Sequence, residues 1–225
     1  MYCIEFHSHT IYSKDSLTTP ETLINTCRMK GIDRIVVTDH NTIAGAIKAQ
    51  EIDPELVIVG EEIMTTRGEL LAGFVKYEIP KGLEPIEAIE RLRDQDAFIS
   101  VSHPFDRWRN GHWERDDLDE IAPLVDAIET FNARFMQPSF NEESDVYAKT
   151  MGLQATVGSD AHHPMEIGKA TLTVPLFEDA ASLKEVIHQA TYQTALSSPL
   201  IHFTSRYAVW RKKYSKKYKD YRPAP

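Results

Sequence analysis

The chain has 225 residues, 42% of them hydrophobic, and a formal net charge of -9. This length supports one substantial core and a single domain, and an acidic body disfavours a nucleic-acid polyanion as the default partner. Its two cysteines, Cys3 and Cys27, exclude a disulfide framework and a cysteine-rich metal motif.

The N-terminus has no basic segment followed by an apolar one, and no uninterrupted apolar run approaches the roughly 20 residues of a membrane span. A cytoplasmic protein with no membrane partner is therefore expected. The charge is uneven. Residues 206–225 hold eight Lys or Arg against one acid, so the expected division is a domain over 1–205 and a basic tail over 206–225. Such a tail is a solvated helix or frayed end, or it touches RNA, an acidic partner face or its own body. Oligomeric state is not legible.

Apolar runs alternate with helical patterns along the chain. Strands are expected at 2–6, 32–38, 56–60, 70–76, 97–102, 127–130 and 154–158. Several are Val/Ile-rich without strict alternation, which suits parallel strands buried on both faces. A helix is expected after Thr19 as N-cap with Pro20 at its first position, ending near Gly31. Others are expected at 41–50, 85–95, 118–124, 141–150 and 181–191. Repeated strand–helix units favour a small α/β barrel over an open sheet.

Five short polar segments follow or end these strands: His7-Ser8-His9, Asp39-His40, Glu61-Glu62, Ser102-His103-Pro104 and Ser159-Asp160-Ala161-His162. Each falls at a C-terminal strand end, the face on which α/β barrels build their sites. Polar side chains are costly there unless they converge, and His, Asp and Glu without thiolate suit zinc, manganese or iron. Strand periodicity places His7 and His9 on one side of the chain. Asp39 is expected to orient a histidine and Glu61 to point away from Glu62. His112, His163, His188 and His202 lie off the motifs and read as surface or core.

These motifs, with Tyr-Ser-Lys-Asp-Ser-Leu at 12–17 and Val-Thr-Asp-His-Asn-Thr at 37–42, resemble the polymerase-and-histidinol-phosphatase (PHP) family of metal-dependent phosphoesterases. The resemblance runs from His7 to about Gly168. It implies a distorted seven-stranded (β/α)7 TIM-like barrel and two to three divalent transition metals. By motif position, His7, His9, Glu62 and Asp160 would hold the first ion. Glu62 would bridge to a second that also takes His103, and Asp15, His40 and His162 would hold a third. Asp15 could instead close an Asx-type turn. Many relatives carry a histidine where this chain has Glu69, which makes Glu69 a possible ligand of the second ion. The stretch 129–134 also resembles family members.

The implied chemistry is hydrolysis of a small phosphate ester by a hydroxide bridging the ions, with Asp160, His162 and His103 as catalytic candidates. Arg107 and Arg134, just past strand ends, are candidates for the substrate phosphate, and Arg109 reads as a solvated surface residue or a salt-bridge partner. Trp108 and Trp113 could stack on a ring or pack in the core. Rival readings are a 3′–5′ or 5′–3′ exonuclease or oligonucleotide phosphodiesterase acting on short nucleic acid, a carbon–nitrogen hydrolase, and a non-catalytic metal-stabilised module.

Overall fold

A computed structural model describes residues 1–221. Nine strands and seven α-helices are found among them. In order these are β1 (Tyr2–Ser8), α1 (Pro20–Lys30), β2 (Arg34–Val37), α2 (Ala44–Ile52), β3 (Val57–Met64), β4 (Glu69–Gly73), α3 (Pro85–Arg93) and β5 (Phe98–Val101). They continue with α4 (Arg115–Ile121), β6 (Ala127–Asn132), α5 (Ser139–Met151), β7 (Gln154–Gly158), β8 (Ala170–Val174), α6 (Ala180–Val186), β9 (Thr191–Thr194) and α7 (Ile201–Tyr214).

The strand order is β7-β6-β5-β4-β3-β2-β1-β8-β9. The curved sheet returns on itself where the chain leaving β7 meets β1. His9 N donates to Ala161 O at 2.9 Å and Ala161 N donates to His7 O at 3.2 Å. The barrel is therefore nearly closed by β1–β7, as expected, but the strand count is nine rather than seven. Strand β8 pairs antiparallel with β1, and β9 with β8.

The barrel is also not wholly parallel. Strand β4 runs antiparallel to both β3 and β5. Only residues 65–68 link β3 to β4, and Thr65 N and Oγ1 both bond the Gly68 carbonyl. Four residues make a hairpin but not the long crossover that parallel neighbours need. Strand β3 also extends to Met64, so Glu61 and Glu62 lie within it rather than beyond it.

The core has two parts. Phe6 of β1 and Phe98 of β5 meet edge to face at 5.4 Å, although their strands are not neighbours, so this contact crosses the barrel interior. Ile4, Val36, Ile58 and Val157 share that cluster. The other faces, such as Ile35, Val37 and Val57, pack under Leu23, Cys27, Ala46 and Ala49 of α1 and α2. Helix α1 is capped as expected: Thr19 accepts from Thr22 N, and Gly31 closes the end at φ +70. Helix α7 crosses position 205, so the basic tail begins as the continuation of a helix.

Candidate metal centre at the strand ends

The polar segments meet at one mouth of the barrel. Strand β1 ends at Ser8, which sets His7 and His9 side by side with ring centroids 5.1 Å apart. Glu62 reaches in from β3. Its Oε1 lies 3.3 Å from His7 Nε2 and 3.0 Å from His103 Nε2, and its Oε2 lies 3.5 Å from His9 Nε2 and 2.7 Å from His40 Nδ1. Asp160, from the turn after β7, sets Oδ1 3.3 Å from His9 Nε2 and 3.7 Å from His7 Nε2. Asp15 Oδ1 stands 3.5 Å from His40 Nε2 and 3.3 Å from His162 Nε2. All eight expected ligands are thus brought together. Glu69 joins them, 3.2 Å from His103 Nε2.

The ring orientations are set by partners behind them. His7 Nδ1 meets Glu129 Oε1 at 2.9 Å, so Nδ1 carries the proton and Nε2 turns its lone pair inward. His9 Nδ1 lies 3.0 Å from Ser13 Oγ, whose own proton goes to Asp39 Oδ1 at 2.6 Å. Ser13 must then accept from His9, which again frees Nε2. Asp39 therefore orients His9 through Ser13, and also holds Thr10 by two bonds. Glu129 ties a second ligand too, since its Oε2 accepts from His103 N at 2.9 Å. His103 and Asp160 have φ of +24 and +50, strained values for residues with a Cβ, and both sit at the cluster.

Burial disfavours ionised carboxyls here, yet His7 and His40 hold Glu62 well below the usual carboxylate range. Arg109 and His7 do the same for Asp160 against its burial. Burial, with His162 and His40 nearby, pushes His9 well below its usual value, so it is a neutral ligand in waiting. Burial also opposes charge on His7, but Asp160, Glu129 and Glu62 raise it well above its usual value. A metal ion binding here would displace such protons.

The atoms fit an ion. His7 Nε2, His9 Nε2, Asp15 Oδ1, Glu62 Oε2 and Asp160 Oδ1 are buried and have no hydrogen-bond partner among the described residues. Buried polar atoms without partners are costly unless something else satisfies them. Three ligand-atom groups each lie within 4.8 Å: His9 with His40 and His162, His7 with His9 and Glu62, and His40 with Glu62 and Glu69.

The arginines are placed differently from expectation. Arg107 pairs with Glu143 of α5 at 2.6 Å and is largely exposed, so it stands in a surface ion pair rather than at the cluster. Arg109, read as a solvated residue or a salt-bridge partner, takes the second form and makes it at the cluster: its Nη1 lies 2.5 Å from Asp160 Oδ2. Arg134 is buried behind His162, with Nη1 2.5 Å from His162 Nδ1, Nε 3.1 Å from Glu166 and Nη2 2.8 Å from Ser205 of α7. In the sequence Glu129 is marked only as part of the stretch 129–134, with no role of its own; it lies within β6. Glu61 turns away as expected: it accepts from Ile79 N, and burial pushes it up to about 8. Trp113 is buried and donates to Glu69 O, whereas Trp108 is exposed.

A nearly closed barrel whose rim gathers histidines and carboxylates defines an α/β barrel with residues that could hold metal ions. Residues 5–106 match the PHP domain family, and residues 138–191 match a PHP-associated family. An uncharacterized protein of Methanocaldococcus jannaschii is 35% identical over 143 residues, covering 57% of this chain and 81% of that protein. A second from the same organism is 33% identical over 170 residues, covering 74% and 68%. A probable phosphatase of Caldicellulosiruptor saccharolyticus is 24% identical and covers 88% and 96%. Among solved structures, PsfC from Pseudomonas syringae matches with a TM-score of 0.69 at 18% identity, over 92% of this chain and 97% of that one. A two-domain protein of Bacteroides vulgatus containing a predicted PHP-like metal-dependent phosphoesterase matches at 0.67 and 18% identity, over 86% and 65%. The chain belongs to the PHP family.

Proposed function

We propose that the protein is a hydrolase that cleaves a small phosphate ester with two to three bound divalent transition metals. The observation that carries this reading is the set of five buried N and O atoms without a hydrogen bond that face one another across the histidine and carboxylate cluster of a PHP-family chain. In this reading His7, His9, Glu62 and Asp160 hold one ion. Glu62, His103 and Glu69 hold another, and Asp15, His40 and His162 the third. Zinc, manganese or iron suits such a nitrogen and oxygen donor set.

Ions held there would acidify a water and neutralise charge on phosphoryl oxygens. The chain's own residues do the positioning. Glu129 and Ser13 keep His7 and His9 turned inward. Arg109 and Asn132 occupy Asp160 Oδ2 and leave Oδ1 to the cluster. His103, His162 and Asp160, all ligands in this reading, would orient the reacting groups around the ions. A phosphatase or phosphoesterase reading accords with the names of the relatives from C. saccharolyticus and B. vulgatus.

One feature favours the nucleic-acid reading. Helix α7 exposes Tyr207, Trp210 and Tyr214, with successive ring centroids 5.8 and 6.0 Å apart, alongside Arg211 and Lys213. Aromatic rings among basic residues suit unpaired bases.

The test is reconstitution with manganese, zinc or iron, followed by elemental analysis and a panel of phosphate monoesters and short oligonucleotides. Two to three equivalents and turnover of a monoester are expected. Less than about half an equivalent after reconstitution would sink the cluster, since a built site must load. Faster turnover of the oligonucleotides would select the nuclease.

A further inference from the structure

Of the candidate ligands, Asp15 and His40 are the exposed ones, at 20% and 18% of their side-chain surface, while Glu62, His7 and His9 are at 0%. The cluster therefore opens to solvent on their side. A cavity of about 720 Å³ lies there, with His40 and Glu69 in its wall. That volume suits a small organic ligand.

Two cations stand in the wall of this cavity, Lys14 from the loop after β1 and Lys81 from the loop before α3. Both are exposed, and neither pairs with a carboxylate among the described residues. Arg107, Arg109 and Arg134, by contrast, are all committed to carboxylates. In a chain of net charge -9, two uncommitted cations beside an acidic cluster are the places where an anion is drawn in.

The same cavity has an aromatic side. Tyr12 meets Tyr221 edge to face, with centroids 5.1 Å apart. Tyr221 comes from the segment beyond α7. That helix is anchored to the site because Lys212 Nζ donates to the carbonyls of Ile11 and Ser13, in the loop that carries Asp15. Through Tyr221 the stretch after α7 thus forms part of the wall of the opening.

We propose that this cavity is the substrate entrance, that Lys14 and Lys81 hold phosphate oxygens, and that Tyr12 and Tyr221 pack against a ring in the alcohol part of the ester. The substrate class is a ring-bearing phosphate ester, whether an aryl phosphate or a nucleotide. This inference rests on the phosphoesterase reading.

The test uses the metal-loaded full chain with naphthyl phosphate, adenosine monophosphate and glycerol phosphate. Lys14→Ala and Lys81→Ala should each raise KM about tenfold, the loss of one charge-assisted hydrogen bond, at unchanged metal content. Tyr221→Ala should lower the ratio of kcat/KM for naphthyl phosphate over glycerol phosphate about fivefold, the size of a lost ring contact. The parent's preference between naphthyl phosphate and adenosine monophosphate names the source of the ring. KM within twofold of the parent in both lysine variants overturns the phosphate assignment, and an unchanged ratio overturns the ring assignment. If the parent turns over none of the three, the phosphoesterase reading fails separately. Calorimetric binding of naphthyl phosphate then judges the entrance, which falls if the parent binds no tighter than the Lys14→Ala/Lys81→Ala double variant.

Discussion

Glu129 and His7 are 122 positions apart in the chain and meet at 2.9 Å, carboxylate to imidazole Nδ1, with both side chains fully buried. The contact fixes which nitrogen of His7 faces the cluster. Glu129→Ala should therefore weaken metal binding about 10- to 100-fold, as removal of a ligand's supporting partner does elsewhere. A chelator-competition titration reads this directly. Affinity within twofold of the parent would show that His7 needs no such support.

His9→Ala and Asp160→Asn should each lose metal and nearly all turnover while keeping the barrel. Losing a ligand misplaces every reacting group at once. The core is carried by contacts such as Phe6 with Phe98, which neither change touches. Far-ultraviolet circular dichroism and elemental analysis on the same samples make the comparison. Near-parental turnover at full metal loading would contradict the ligand assignment.

Arg107 and Arg134 should separate. Arg107 sits in an exposed pair with Glu143, and such pairs contribute little, so Arg107→Ala should leave kcat/KM within about twofold of the parent. Arg134 is buried against His162 and Glu166. Arg134→Ala should lower kcat/KM roughly 10- to 150-fold, the loss of a charge-assisted contact of about 1.5–3 kcal/mol. Equal effects of the two would refute this division.

Lys212 predicts a pH dependence of stability. It is 3% exposed, and burial lowers its ammonium from 10.5 to about 8. The unfolded chain keeps the proton up to the higher value, so between about 8 and 10.5 the unfolded state binds more protons. Stability contributed at this site therefore rises with pH through that window, and the cost of burying the charge is fully present below it. Urea unfolding of the parent and Lys212→Met at two pH values, one below and one inside the window, should show the parent gaining relative to the variant. A constant difference would mean that Lys212 titrates normally.

Much of the site was legible in the chain because its ligands follow apolar runs. A strand end is a local signal, so His7, His9, His40, His103 and Asp160 could be picked out where Val- and Ile-rich segments stop. The α1 cap at Thr19 was legible for the same reason, since a cap is decided within four residues. Glu62 was found beside its strand but lies inside it, because its apolar run continues past the two glutamates to Met64.

The tertiary structure alone decided the rest. The reversal of β4 depends on the reach of a four-residue link, and the role of Glu129 is recognised only when the closing barrel brings its carboxylate to His7. Arg107 and Arg109, two positions apart in one loop, are indistinguishable by composition, yet one turns out to Glu143 and the other in to Asp160. Residue type and spacing state which groups can bind an ion or an anion. Which of them do so depends on distances between segments that only the closed barrel sets, because the electrostatic energy of a buried pair falls steeply with separation and exposure.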